Sequence, residues 1–281
     1  MSRPDRRGEP TIVTLADPDA CALAAAERIV EILDVAIDDH GEAHWATTGG
    51  STPAGIYRHL VEAPLRSEID WRRVHLWWTD ERFVPADHPL SNQKIANDIL
   101  LAMAHRSGLS GSGGLPADAG SRGAGGLPIR TDQVHPIEAG SAIGAGHDQG
   151  WAAARYADEL HADGPDPDDD GWPAFDLMLL GVGSDGHILS VFPGSPAFDA
   201  AAWAVGVPAP THIEPHVSRI TLNPGLAVAA HELLVVSHGE GKAEILRDIL
   251  RGERDERRLP AQLARRPGAT WMIDRAAARL L

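Results

Sequence analysis

The sequence has only one cysteine, no long apolar run and a shortage of positive charge. Its single cysteine, Cys21, excludes an intramolecular disulfide and a four-thiolate zinc site. Cys21 lies in an alanine-rich, helix-like run, so we expect it to be a small core residue. No apolar run approaches the about 18 residues of a membrane-spanning helix, and no signal-peptide-like stretch follows the charged N-terminus. These absences predict a reduced, cytoplasmic setting without membrane contact.

The charge balance is acidic, with 25 lysines and arginines against 40 aspartates and glutamates and a net charge of −15. Proteins that bind nucleic acid usually carry a basic excess, so this balance argues against a nucleic-acid partner. At first sight it also disfavours an anionic small-molecule substrate. Hydrophobic residues make up 43% of the chain, which is ordinary for a globular protein with a sizeable core.

Short apolar runs alternate with helical patterns along the chain. We predict strands at residues 11–16, 43–48, 74–79, 175–180, 219–222, 232–237 and 270–273. We predict helices that begin at Asp17 and at Pro53, and further helices over residues 91–104, 148–162, 242–250 and 274–281. This alternation predicts an α/β fold with a mainly parallel sheet.

Two segments differ from this pattern. Residues 107–126 are rich in glycine, serine and alanine and have no periodicity, which indicates a flexible surface insertion. Residues 163–171 contain five aspartates but lack the glycine and glutamate spacing of a calcium loop. We interpret this second segment as a solvated acidic loop.

The first motif with chemical content is TTGGSTPAGIY at residues 47–57. A predicted strand runs into Gly49 and Gly50, and Ser51, Thr52 and Pro53 then open a helix. Glycines allow an anion to approach the backbone closely, and a helix N-terminus offers unpaired N–H groups. The motif is consistent with a phosphate cradle and equally with an ordinary capped helix after a tight turn.

A second motif, WWTDERFVP, places Asp80, Glu81 and Arg82 just beyond a strand. Ligands of doubly wound sheets bind outside the carboxyl ends of the strands. These residues are therefore candidates for a binding site, and the alternative is a solvated charged turn.

A third motif, residues 175–195, contains the spacing GxGxxG at Gly181, Gly183 and Gly186 after a strand. A dinucleotide site needs a helix there, and the proline and glycine at positions 193 and 194 leave little room for one. The alternative is a glycine turn that presents Asp185 and His187. A carboxylate beside an imidazole can orient a general base, although a lone histidine can equally be structural.

Two cations follow near the ends of later strands. Arg219 offers planar donors suited to phosphate, and Lys242 stands at the start of a helix after a glycine turn. The alternative for both is an ordinary surface charge. His212 and His216 are separated by Pro215 and lack helical metal-ligand spacing, so we predict no metal site.

Taken in order, the motifs resemble those of the 6-phosphogluconolactonase family over about residues 11–273. The matching pieces are GGSTP, DERxVP followed by Ser91 and Asn92, GxGxDGH with FPGS, RIT, and GxxKA. The family is similar in fold to glucosamine-6-phosphate deaminases. The resemblance implies a single domain over residues 1–281 with a Rossmann-like, mainly parallel sheet flanked by helices, of the NagB/RpiA type.

The resemblance also implies hydrolysis of 6-phosphoglucono-δ-lactone, the second step of the oxidative pentose phosphate pathway, without a metal or other cofactor. It implies that His187 is the general base with Asp185 beside it, and that Asp80 and Arg82 line the sugar end. The implied phosphate ligands are Gly49, Gly50, Ser51, Thr52, Arg219 and Lys242. The expected partner is a phosphosugar lactone, bound by a monomer or weak homodimer.

Three local features bear on the choice within this superfamily. Deaminases usually carry a glutamate five residues after the histidine, where this chain has Phe192, and the arginine of DER is a lactonase feature. Ile188 and Leu189 replace the usual Thr-Ala of lactonases, and Leu189 is expected to narrow the site. The alternatives are a glucosamine-6-phosphate deaminase-like enzyme and a non-catalytic phosphosugar sensor.

The implied phosphate ligands change how the acidic charge is interpreted. Screening over ~8 Å in physiological salt keeps the acidic loop from acting on a distant pocket. We therefore expect a positive pocket on an otherwise acidic surface.

Overall fold

The computed structural model describes residues 8–102 and 125–281, in which strands and helices alternate along the chain. The strands are β1 (Thr11–Leu15), β2 (Ala43–Thr47), β3 (Val74–Trp78), β4 (Asp80–Arg82), β5 (Val134–His135), β6 (Leu177–Leu180), β7 (Ala204–Val207), β8 (Arg219–Leu222), β9 (Glu232–Ser237) and β10 (Ala269–Asp274). The α-helices are α1 (Pro18–His40), α2 (Ser51–Leu60), α3 (Asn92–Ile95), α4 (Ala139–Gly144), α5 (Gln149–Asp163), α6 (Pro224–Ala229) and α7 (Ala243–Arg251).

The main sheet has seven strands in the order β1-β10-β9-β6-β2-β3-β5, and every neighbouring pair is parallel. This confirms the predicted α/β class with a mainly parallel sheet. From β2 the chain continues to β3 and β5 on one side of the sheet, and from β6 it continues to β9 and β10 on the other side. The crevice beyond the carboxyl ends of β2 and β6 is therefore the topological switch point, where ligands of such sheets bind.

A second, antiparallel sheet of order β4-β8-β7 was not predicted from the sequence. Residues 219–222 do form a strand, but it belongs to this small sheet rather than to the main one. Only Thr79 separates β3 from β4. Pairing of β4 with β8 places Arg82 directly opposite Arg219, and Asp80 opposite Thr221.

The first helix shows how local sequence sets an element. The side chain of Asp17 accepts a hydrogen bond from the backbone N–H of Ala20, and Pro18 occupies the first helical position. Gly41 ends the helix in the left-handed region at φ 96°. Cys21 is fully buried on this helix, as expected, and burial raises the pKa of its thiol to about 11. A thiol in that state is a packing group rather than a nucleophile.

The core lies between the main sheet and its helices and is rich in large aromatic side chains. Trp45, Trp71, Trp77, Trp78 and Trp271 are fully buried. Strands β2 and β6 are buried at every residue, because layers on both faces cover them, which explains the continuous apolar run of β6. Among the described residues, no helix is both long enough and apolar enough to cross a membrane.

Two predicted helices need correction. In place of a helix over residues 91–104, α3 is one turn long and continues as a π-helical segment, Ala96–Leu100, while residues 103 and 104 lie outside the described part. In place of the predicted helix over 274–281, Asp274 ends β10 and residues 275–280 form a series of turns. Its alanines favour helix, but the segment is shorter than the about 12 residues that an unsupported helix needs.

Smaller differences remain. Helix α2 begins at Ser51, two residues before the predicted start. Residues 240–242 form a 3-10 turn that precedes α7, so Lys242 stands at its N-cap rather than inside it. The predicted insertion falls mostly outside the described residues, which resume at Gly125.

Candidate active site

A cavity of about 420 Å³ lies at the switch point, beyond the carboxyl ends of β2, β6 and β9. It brings together residues that are up to about 190 positions apart in the sequence. The predicted site residues that line it are Gly49, Gly50, Ser51, Thr52, Asp80, Arg82, His187, Arg219 and Lys242. The remaining predicted residue, Asp185, does not line the cavity but lies behind His187.

The glycine turn after β2 is shaped by close packing against Asn92. A Cβ atom on Gly49 would lie 2.1 Å from Oδ1 of Asn92, so a larger residue would displace that amide. Gly50 is the N-cap of α2 and supplies no side-chain hydrogen bond to the helix. The first N–H groups of α2, beginning at Ser51, are therefore available to an anion in the cavity.

The catalytic candidates occupy the turn after β6. Nδ1 of His187 donates a hydrogen bond to Oδ1 of Asp185 over 2.5 Å, and the backbone N–H of His187 donates to the same oxygen over 3.2 Å. Because Nδ1 carries the proton, Nε2 of His187 is left as a lone-pair acceptor for a proton from a ligand. This is the tautomer that a general base requires.

A close approach explains the glycine at position 183. A Cβ atom there would lie 2.1 Å from Nδ1 of His187 and 2.7 Å from Oδ1 of Asp185. The backbone N–H of Gly183 also donates to the carbonyl of His187, which closes the turn. There is no helix between residues 182 and 195, in agreement with the rejection of a dinucleotide site.

Asp185 interacts with two imidazoles. Its Oδ2 accepts a hydrogen bond from Nε2 of His212 over 2.7 Å. Burial alone would raise the pKa of Asp185, but the hydrogen bonds and charge of His187 and the hydrogen bond of His212 outweigh it and hold that pKa well below its usual value. Asp185 is therefore an anion at neutral pH, able to stabilise a protonated imidazole.

Three cations line the cavity and give it a positive charge. Nζ of Lys242 donates to the carbonyl of Val182 over 2.6 Å, directly before the turn that carries Asp185 and His187. Burial lowers the pKa of Lys242, and the charge of Asp185 partly offsets this. Burial also lowers the pKa of Arg219, whose guanidinium lies over the ring of Phe192.

The facing pair of arginines is a second sign of an anion site. Arg82 and Arg219 are directly opposite each other on β4 and β8, where like charges destabilise a sheet. A bound anion would relieve that repulsion. Against these cations the cavity carries one carboxylate, that of Asp80, so its charge is opposite to the net charge of the chain.

Asp80 is 3% exposed, and its carboxylate links two segments of the site through hydrogen bonds. Its Oδ2 accepts from Oγ of Ser190 over 2.6 Å, and its Oδ1 accepts from Nδ2 of Asn92 over 3.1 Å. Through Asp80, these bonds connect Ser190, which follows the turn that carries His187, to the start of α3. Glu81 supports the same junction, since its carboxylate accepts from the backbone N–H groups of Asn92 and Gln93. Burial is the stronger influence and raises the pKa of Glu81 to about 7.

Three buried polar atoms of the cavity residues have no hydrogen-bond partner within the described chain. They are Nε of Arg82, Oδ1 of Asn92 and Oγ of Ser237. Buried polar groups are almost always paired in folded proteins. Three such atoms on residues that line one cavity are what a site prepared for a polar ligand would show.

Sequence reasoning missed the roles of His212 and His238 and the left-handed backbone conformation of Leu189. His212 was considered only as a metal ligand, and His238 was not considered, although its Nε2 lies 3.2 Å from Oγ1 of Thr52 and its ring lines the cavity. The signal for His238 was its place in the glycine turn after β9. Leu189 lines the cavity at φ 55°, in the left-handed region, whereas Ile188 is fully buried.

Comparisons with known proteins agree with this geometry. Residues 16–273 match the family described as glucosamine-6-phosphate isomerases/6-phosphogluconolactonase. The 6-phosphogluconolactonase of Streptomyces coelicolor is 33% identical over 277 residues, covering 97% of this chain and 95% of that protein. The one from Mycobacterium tuberculosis is 32% identical over 267 residues, covering 94% and 96%.

A solved structure extends the likeness to three dimensions. The 6-phosphogluconolactonase from Trypanosoma cruzi superposes with a TM-score of 0.79 at 25% identity, covering 99% of each chain. The match therefore includes both the main sheet and the turns that carry the cavity residues. On these grounds the chain belongs to the glucosamine-6-phosphate isomerase/6-phosphogluconolactonase family.

Proposed function

We propose that this protein hydrolyses 6-phosphoglucono-δ-lactone to 6-phosphogluconate, the second step of the oxidative pentose phosphate pathway. The observation that carries the proposal is the pairing of His187 with Asp185 at the wall of a cavity lined by cations. The names of the relatives in Streptomyces and Mycobacterium support the same reaction.

The chemistry begins with a water molecule beside His187. Nε2 of His187 takes a proton from that water, and the oxygen attacks the lactone carbonyl to form a tetrahedral oxyanion. The oxyanion collapses, the bond from the carbonyl carbon to the ring oxygen breaks, and His187 returns the proton to that oxygen. One water is consumed, and the new carboxyl group loses its proton to solvent, so that the hydroxy acid leaves as its carboxylate. A general base of this kind contributes roughly 10²–10⁴-fold in rate.

The phosphate would be held at a distance from the reacting carbon. The first turn of α2 offers backbone N–H groups and the hydroxyls of Ser51 and Thr52, while Arg219 and Lys242 offer charge. Gly49 and Gly50 keep the approach to that turn open. Binding energy from this remote group positions the carbonyl against His187.

The sugar end would lie near Asp80 and Arg82. The carboxylate of Asp80 already has two strong partners, so its role is to hold Ser190 and Asn92 in place as much as to meet the sugar hydroxyls. Arg82 keeps a buried Nε without a partner in the described chain, which is a donor ready for a sugar or carboxylate oxygen.

Phe192, whose ring packs against His187, distinguishes the lactonase from a deaminase. The ring of Phe192 lies 4.6 Å from that of His187, at the position where deaminases usually place a glutamate. An apolar ring there cannot move a proton to or from an amine.

The decisive assay measures acid release from freshly prepared 6-phosphogluconolactone, with the spontaneous rate subtracted. We expect rapid turnover in the presence of a chelator, and no ammonia release from glucosamine-6-phosphate. Ammonia release with no lactone hydrolysis would support the deaminase reading, and tight binding without either reaction would support a sensor.

A further inference from the structure

Asp185 lies between two imidazoles that come from different parts of the chain. His187 bonds its Oδ1 over 2.5 Å, and His212 bonds its Oδ2 over 2.7 Å. His187 belongs to the same turn as Asp185, whereas His212 comes from the segment between β7 and β8. Each carboxylate oxygen therefore has its own imidazole donor.

Contacts with Phe192 and Asp185 fix the position of the His212 ring. Its ring is perpendicular to that of Phe192, at 90° with centroids 5.8 Å apart, while His187 lies against the same phenyl ring. The side chain of His212 is 49% exposed, but that of Asp185 is only 17% exposed. His212 thus covers the solvent side of a carboxylate that the catalytic turn leaves open.

We propose that His212 is a positioning residue that acts on His187 through Asp185. By holding Oδ2, it stops the carboxylate from rotating about its Cβ–Cγ bond, and Oδ1 stays aligned with Nδ1 of His187. The imidazole of His187 then keeps both its tautomer and its aim into the cavity. The effect on catalysis rests on the proposed lactonase function, whereas the effect on the hydrogen bond does not.

The segment that carries His212 has its own supports. Nδ1 of His216 donates to the carbonyl of Pro210 over 2.7 Å, and the guanidinium of Arg219 donates to the carbonyl of Pro215 over 3.1 Å. Substituting the half-exposed His212 therefore leaves the bonds that shape the segment in place. Lys242, the other charged group close to Asp185, is also unchanged.

Three variants separate positioning from a general structural role. His212→Ala removes the donor, and His212→Gln keeps a neutral N–H donor of similar reach. His231→Gln is the control, because His231 is an exposed imidazole just before β9, at the opposite edge of the sheet from the cavity. Circular dichroism checks that all three fold like the wild type.

The first readout is steady-state kinetics with the lactone. We expect His212→Ala to lower kcat by roughly 5–10-fold. This is less than the roughly 10–150-fold that corresponds to a lost hydrogen bond to a charged group, because His212 acts on the base only through Asp185. KM should stay within about 2-fold, since His212 does not line the cavity and is not one of the proposed phosphate ligands. His212→Gln should recover most of the loss, and His231→Gln should match the wild type.

The second readout is independent of activity. In ligand-free, ¹⁵N-histidine-labelled protein, the Nδ1–H proton of His187 should give a low-field resonance, assigned by its absence in His187→Ala. We expect His212→Ala to broaden it through faster exchange with solvent, and His212→Gln to retain it.

The outcomes separate the two claims. If the wild type does not hydrolyse the lactone, the proposed function fails and the resonance alone decides the role of His212. If His212→Ala keeps a sharp resonance, or keeps wild-type kcat in an active enzyme, the positioning role is wrong.

Discussion

A methyl group on Gly183 would occupy the space of the His187 imidazole, because an ideal Cβ there lies 2.1 Å from Nδ1. The turn that carries Asp185 and His187 therefore requires a residue without a side chain at position 183. The same Cβ would lie 2.7 Å from Oδ1 of Asp185, so both members of the pair would have to move.

We expect Gly183→Ala to reduce kcat on the order of 100-fold, since displacement of a base by about 1 Å has that effect. KM should change little, because the phosphate ligands lie on other elements. Gly144→Ala is the matched control: Gly144 ends α4, and a Cβ there meets no atom within 4 Å. Steady-state kinetics of both variants check this, and equal kcat values in the two would contradict the proposed geometry.

The carboxylate of Asp185 must accept a hydrogen bond from the protonated Nδ1 of His187. Asp185→Asn offers an amide in its place, which favours the wrong tautomer of His187 and removes the negative charge that stabilises its protonated form. We expect kcat to fall by about 10²–10⁴-fold. The free energy of unfolding should fall as well, because a carboxylate with a lowered pKa stabilises the folded state at neutral pH. Kinetics and urea unfolding measure the two effects, and an unchanged kcat would show that Asp185 does not orient the base.

The cations of the cavity should recognise the phosphate rather than the lactone ring. We expect Lys242→Met to raise KM for the phosphorylated lactone by about 10–100-fold, the range for one charge-assisted hydrogen bond. The unphosphorylated glucono-δ-lactone should be hydrolysed slowly by both proteins, with the same kcat/KM.

Arg247→Met is the control for loss of charge, because Arg247 is an exposed cation of α7 that pairs with Asp248. It should leave KM unchanged. An equal loss of kcat/KM by Lys242→Met on both lactones would place Lys242 at the reacting carbon or in the support of the turn through Val182.

A separate prediction concerns stability in acid. Burial, with smaller effects from His75, His135 and His40, lowers the pKa of His44 to about 3. An unfolded histidine titrates near 6.5, so between pH 6.5 and 3 the unfolded chain binds a proton that the folded His44 does not. This group therefore lowers the free energy of unfolding as the pH falls through that window, by up to about 1.4 kcal/mol per pH unit.

His44→Asn should reduce that pH dependence. Nε1 of Trp77 donates to Nδ1 of His44, and the amide oxygen of asparagine can replace this acceptor. Urea unfolding at pH 7, 6 and 5 should show a slope smaller by about one proton in the variant. The exposed control His231→Asn should keep the wild-type slope, and the account of His44 is wrong if His44→Asn keeps it too.

The sequence predicted those elements whose structure follows from local pattern. The strands of the main sheet, apart from the two-residue β5, are apolar runs bounded by turns, and Asp17 with Pro18 marks the first helix. The glycine turn after β6 was also predictable, because Gly181, Gly183 and Gly186 lie close together in the sequence around Asp185. Most site residues come from motifs that follow β2, β3, β6 or β9, and parallel strands bring their carboxyl ends to one edge. Arg219 is the exception, because it begins β8 of the antiparallel sheet.

What local pattern could not predict depends on distant partners. Residues 80–82 are charged and appear to be a turn in sequence, yet they form β4 because β8 pairs with them from about 140 residues away. His212 lies 27 residues from Asp185, and neither its neighbours nor its spacing points to that carboxylate. The alanines of residues 274–281 favour helix locally, but the segment is too short to keep it.

His187 is the residue that we propose activates water for attack on a lactone carbonyl. The most direct measurement compares wild type and His187→Ala for acid release from freshly prepared 6-phosphogluconolactone at neutral pH, in the presence of a chelator. We expect fast turnover by the wild type and a loss of about 10²–10⁴-fold in kcat for the variant, with KM nearly unchanged. Wild-type kcat in His187→Ala would contradict it.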